Sequence, residues 1–130
     1  MLLDVSIEKD SKNAALEIEI ERKNFTKAAQ LAASLNLNNG EIENLRHQAL
    51  CRMAAHNRNA HGVKILAQEY GYSKQEVKQI LERYANQMRE KGNIKPLGVC
   101  YDSSSSKYLT FEDWIIHCIE KWHKLKVPLM

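Results

Sequence analysis

Five side chains have metal-ligating chemistry at spacings that bring them close. His47 and Cys51 stand at i, i+4, while His117, Cys118 and His123 crowd the C-terminal segment. A zinc site needs imidazole and thiolate donors converging on one point, and only the first pair shares a helix face. Cys118 falls on an apolar stripe, His117 and His123 point to different sides, and neither CxxC nor HExxH spacing occurs. These groups read as core thiols and surface histidines. No cysteine or serine sits in a nucleophile context, and no glycine-rich loop is present to cradle phosphates. The carboxylate pairs Glu17 with Glu21 and Glu112 with Asp113 are explained by helix faces and caps. Trp114 and Trp122, eight residues apart, read as core or dimer contact rather than a ligand box. The pattern points away from an enzyme and calls for no metal and no cofactor.

The elements that hold these residues belong to an ordinary globular chain. At 130 residues the chain has the size of one domain, and 44% hydrophobic with 27% charged residues is the balance of a globular protein. Three scattered cysteines, Cys51, Cys100 and Cys118, fit free thiols in a reducing compartment. The start MLLDVSIEKD carries no basic, apolar signal pattern, and no run is long enough to span a bilayer, so the expected location is cytoplasmic, away from membranes. Charge is unevenly placed. Residues 1–45 carry five Lys/Arg against eight Asp/Glu, whereas residues 46–95 carry ten against four. A middle segment of net +6 suits a polyanionic partner, although a solvated helix face gives the same pattern.

The expected fold is mainly α: one domain over 1–130, a compact bundle of five or six short helices, with a small β-hairpin near residues 97–110. Leu3, Val5 and Ile7 alternate as a strand would, and so do Leu16, Ile18 and Ile20. The Ala, Leu and Glu content of NAALEIEIER nevertheless favours a helix from about Asn13. Residues 1–36 then form a helical hairpin, with Asn24 as N-cap of a helix that buries Phe25, Ala28, Ala29, Ala32 and Leu35. NLNNG stops it. Ile42, Leu45, Ala49, Met53 and Ala54 mark a third helix that ends near HNRNAHG, and a short helix spans about Val63 to Tyr70, closed by Gly71. Ser73 and Glu76 form a capping box for the next helix, whose apolar stripe is Val77, Ile80, Leu81, Tyr84 and Met88. GVCYD and KYLTF flank four serines, as a hairpin or a loose loop. Thr110 and Asp113 open a last amphipathic helix over 110–125, with Phe111, Trp114, Ile115, Cys118, Ile119 and Trp122 on one face.

The segment VKILAQEYGYSKQEVKQILE places Leu66, Ala67, Gly71, Val77 and Ile80 at helix-turn-helix spacings, and over these 20 residues it resembles the helix-turn-helix superfamily. With GVCYD and KYLTF as a wing, the resemblance extends over 41–110 to winged-helix proteins. It implies a non-enzymatic nucleic-acid-binding domain, a regulator of transcription acting on double-stranded DNA. In that resemblance Lys74, Gln75, Lys78 and Gln79 open the recognition helix, where lysine meets guanine edges or phosphates and glutamine reads adenine. Arg52, Arg58, Lys64 and Arg83 would hold phosphates, and the acidic N-terminal helices would serve packing or a homodimer.

The segment ALEIEIERKNFTKAAQLAASL is similar to one unit of a tetratricopeptide-type array, with Asn24 and Phe25 at its turn. Such arrays bury a continuous core only with about three units, so a single unit implies a helical protein-interaction or adaptor module. That is the alternative to DNA binding, with a protein as partner.

Overall fold

The residues that end helices set the layout of this chain. A computed structural model describes residues 13–103 and 105–125; the strand-like run at Leu3, Val5 and Ile7 lies outside the described residues. Among the described residues there are six α-helices: α1 over 13–21, α2 Phe25–Ser34, α3 Asn39–Ala55, α4 Ala60–Tyr70, α5 Lys74–Glu90 and α6 Phe111–Glu120. Strands β1 Cys100–Asp102 and β2 Lys107–Leu109 pair antiparallel, and short 3-10 turns occupy Lys95–Leu97 and Trp122–Lys124. The mainly helical fold with one small hairpin is the one expected. The chain divides into two compact units, Met1–Ala49 and Leu50–Met130, the division falling inside α3.

In the first unit, helix rather than strand runs through Leu16, Ile18 and Ile20. Its period of 3.6 puts Leu16 and Glu19 inward and leaves Ile18 and Ile20 exposed, which a two-residue alternation would not do. Lys23 takes a left-handed conformation (φ 60°), so the Asn24 N–H reaches back to the Glu19 carbonyl at 2.9 Å and closes α1. Asn24 holds the N-cap position of α2, but its side chain makes no capping bond. Asn36 (φ 55°) closes α2 in the same way, and Asn38 caps α3 by accepting the Glu41 N–H at 2.8 Å. Leu16, Ala28, Ala29, Ala32 and Leu45 form the core, ringed by Phe25, Leu31, Leu35, Leu37 and Ile42. The three alanines are the side chains that α2 contributes to this core between Leu16 of α1 and Leu45 of α3. Glu19, nearly buried, faces the Lys27 ammonium at 3.8 Å.

In the second unit, α4 begins three residues earlier than its apolar pattern suggests. Asn59 caps it, its Oδ1 accepting the Gly62 N–H at 3.0 Å. Gly62 reads as a loop residue but lies in the first helical turn, at a point of close approach where a side chain would not fit. A Cβ there would stand 2.7 Å from both Met53 Sδ and Asn59 Nδ2. Val63, Leu66 and Ala67 of α4 are buried, as are Val77, Ile80, Leu81 and Ala85 of α5 and Phe111, Trp114, Ile115 and Cys118 of α6. Phe111 stacks on Trp114 and takes the Tyr84 ring edge-on, both at 6.1 Å. Cys100, Tyr101 and Asp102 pair with Leu109, Tyr108 and Lys107, and the exposed Tyr101 and Tyr108 rings meet across the hairpin at 5.2 Å. Thr110 caps α6, as expected, by accepting the Asp113 N–H at 3.2 Å. α6 ends at Glu120, so Trp122 falls off the shared helix face, and the Lys64 ammonium lies 5.9 Å over its ring.

Candidate nucleic-acid interface

α4 and α5 are joined by three residues, Gly71, Tyr72 and Ser73, each fixed by backbone bonding. Gly71 is left-handed (φ 79°), a conformation that costs a residue without Cβ almost nothing. The Gly71 N–H donates to the Gln68 carbonyl (3.2 Å) and the Tyr72 N–H to the Ala67 carbonyl (2.8 Å), a Schellman ending. The capping box follows. Ser73 Oγ accepts the Glu76 N–H at 3.1 Å, and the Glu76 carboxylate accepts the Ser73 N–H at 3.0 Å. The Glu76 carboxylate is therefore turned back onto the helix terminus. A turn tied at both ends holds α5 in a defined orientation to α4, while Val77, Ile80 and Leu81 anchor its inner face.

The outer face of α5 carries Lys74, Gln75, Gln79 and Arg83, all exposed. Residues four apart drift about 40° around a helix, so Gln75, Gln79 and Arg83 share one stripe. Lys78 is half-buried beside them and reaches the Glu82 carboxylate at 3.9 Å, an exposed i, i+4 pair of small energetic weight.

The other basic residues have different surroundings. Arg52 is half-buried on α3 and close enough to Tyr84 to oppose the upward push that burial, and secondarily Cys51, exert on the phenol. Arg58 donates from Nε to the Ala55 carbonyl (3.2 Å), from Nη1 to Leu109 (3.2 Å), and from Nη2 to Pro96 (3.3 Å) and Gly98 (2.6 Å). Those bonds tie the end of α3 to the root of the hairpin. Burial lowers its pKa from the ordinary arginine value, with nearby Cys100 opposing. Lys64 donates to the carbonyls of Trp122 (2.7 Å) and Leu125 (2.8 Å), satisfying the turn after α6. Arg58 and Lys64, expected on phosphates, thus direct their donors at backbone.

The structure also shows a cleft that sequence patterns do not reveal. It measures about 400 Å³, lies among the first turn of α4, the end of β1 and α6, and is floored by Trp114. On its wall, His117 Nε2 meets Asp102 Oδ2 at 3.2 Å, and the same carboxylate oxygen accepts the Ser105 N–H at 3.0 Å. A strand-end aspartate and a helical histidine 15 positions apart carry no motif, so only the fold pairs them. His47 faces Glu43 at 3.6 Å, and Cys118 is buried with its thiol pushed up to about 12. Among the described residues no three metal-ligating side chains gather, and no helix is long and apolar enough to cross a membrane. Comparison with protein-family models, curated proteins and solved structures finds no match to this chain.

Proposed function

We propose that the chain binds double-stranded DNA without catalysis, laying the first half of α5 in the major groove. The observation that carries this reading is the exposed row Lys74, Gln75, Gln79 and Arg83, set directly behind a turn locked by a Schellman ending and a capping box. Glutamine presents a donor and an acceptor that match adenine, while the cations meet phosphates or guanine. Lys78 adjoins the row on α5, and Arg52 of α3 lies near Tyr84 of the same helix. The hairpin after α5, with Lys107 and two exposed tyrosines, serves as a wing against the adjoining backbone, and a regulator of transcription is the natural use of such a reader. The role of Arg58 and Lys64 is to brace the wing root and the turn that follows α6.

The test is fluorescence anisotropy with a random duplex of about 30 base pairs at about 50 mM salt. Saturable binding is expected, weakened about tenfold or more by Lys74→Glu with Lys78→Glu. No binding at that salt, or binding indifferent to the charge reversal, overturns the proposal. A second reading, a protein-interaction module, is favoured by Ile18 (46% exposed) and Ile20 (39%), apolar side chains left open on opposite sides of α1. It predicts association that survives high salt and is lost in Ile18→Glu with Ile20→Glu.

A further inference from the structure

We propose that the cleft beside α6 binds a small organic anion, a compact apolar body bearing one carboxylate. This inference is independent of DNA binding.

The charge balance of the cleft sets the ligand's sign. Three permanent cations line it, Arg58, Lys121 and Lys124, and the single lining carboxylate is Asp102. Asp102 is already occupied by His117 and the Ser105 N–H, whereas the Arg58 donors are turned onto carbonyls. Lys121 and Lys124 are therefore left as the cations that meet a ligand, and neither they nor any other lining residue brings a second negative charge. The first turn of α4 adds to the same field. Asn59, Ala60 and His61 open on the cleft, so the positive end of an 11-residue helix faces its interior.

The lining also sets the ligand's body. Leu125 supplies apolar surface, and the buried Trp114 and Cys118 close the base of the cleft as part of the core of the unit. About 400 Å³ lies within the range of small-molecule sites and is too small for a folded partner. The walls are braced. The Lys64 clamp on the Trp122 and Leu125 carbonyls holds the turn that carries Lys124, and Arg58 holds the hairpin root from which Asp102 extends. A preformed site of this kind loses little ordering entropy on binding.

The probe is naphthalene-2-carboxylate, titrated into the full chain and followed by amide chemical shifts, with the neutral naphthalene-2-carboxamide as control. Saturable shifts are expected at residues 59–61 and 114–124, with the carboxylate binding at least about tenfold more tightly than the amide, the weight of one charge in a partly dry site. Lys121→Gln with Lys124→Gln is expected to remove that preference, while Lys91→Gln on the far end of α5 leaves it unchanged. Equal affinity for acid and amide, or shifts that map elsewhere, overturn the proposal on the unaltered protein. An acid preference that survives in a folded double variant overturns it as well.

Discussion

The Arg58 guanidinium lies 5.3 Å from the centroid of the Phe111 ring while donating to the carbonyl of Leu109, two residues before it. One side chain thus covers the aromatic that starts α6 and ties down the strand leading into it. Arg58 is itself left-handed (φ 48°), a conformation disfavoured for a residue with a Cβ. The side-chain bonds to Ala55, Pro96, Gly98 and Leu109 hold that backbone in place, so the end of α3, the hairpin and α6 are locked through one residue.

Arg58→Met removes a charged donor from four carbonyls and is expected to lower unfolding free energy by about 2–4 kcal/mol, since part-buried acceptors are left without partners. Arg58→Lys does not rescue it, because one ammonium cannot reach four acceptors set in a planar fork. Urea denaturation with tryptophan fluorescence checks both, and a loss below about 0.5 kcal/mol would show that the clamp is dispensable.

The DNA reading separates the basic residues by their salt behaviour. Each phosphate contact contributes close to one unit to the slope of log K against log salt. Lys74→Ala and Arg83→Ala are each expected to reduce the slope by about one. Lys64→Ala, whose ammonium is held by Trp122 and Leu125, is expected to leave it unchanged. A slope that falls for Lys64 but not for Arg83 would place the DNA on another face.

The local signals in the chain were strong where the physics is local. Ser73 with Glu76, Thr110 with Asp113 and Gly71 mark caps whose partners lie within three residues, and each takes the bonding its spacing implies. The start of α4 was hidden because Gly62 reads as a breaker, and the Met53 side chain that requires a glycine there belongs to another helix. Arg58 and Lys64 read as phosphate-binding cations because, the Ala55 carbonyl apart, their partners are backbone carbonyls 38 to 61 residues away, which leave no pattern in side-chain types. Asp102 with His117 was hidden for the same reason. The exposed face of α5 needed only the 3.6 period of its apolar stripe.

Gly62→Ala puts the opposing terms of helix energetics at one position. Alanine gains roughly 0.8–1 kcal/mol of helix propensity over glycine. Its Cβ, however, would displace Asn59, whose Oδ1 caps α4, and losing that cap costs about 1 kcal/mol, with the Met53 contact adding to it. The expected result is a net loss of about 1 kcal/mol in the wild-type background and a neutral or stabilising effect once Asn59→Ala has removed the cap. A double-mutant cycle by thermal unfolding measures the coupling, and additive effects would show that Asn59 does not set the cost.

Burial separates the three thiols. Cys51 and Cys118 are buried, which pushes their pKa from 9.0 up to about 12, whereas Cys100 is exposed at the start of β1. Iodoacetamide at about pH 8 is therefore expected to label one cysteine in the folded protein and all three in urea. The same shifts carry a stability consequence. Above about pH 9 the unfolded chain releases thiol protons that the folded protein keeps until about pH 12, so the fold loses stability as pH rises through that window. Below pH 9 both states hold their protons and these residues add no pH dependence. The urea midpoint is expected to fall between about pH 8 and pH 10, and to fall less in Cys51→Ala with Cys118→Ala, because alanine has no proton to lose. An equal fall in both proteins would mean that the two thiols ionise as readily in the fold as in the unfolded chain.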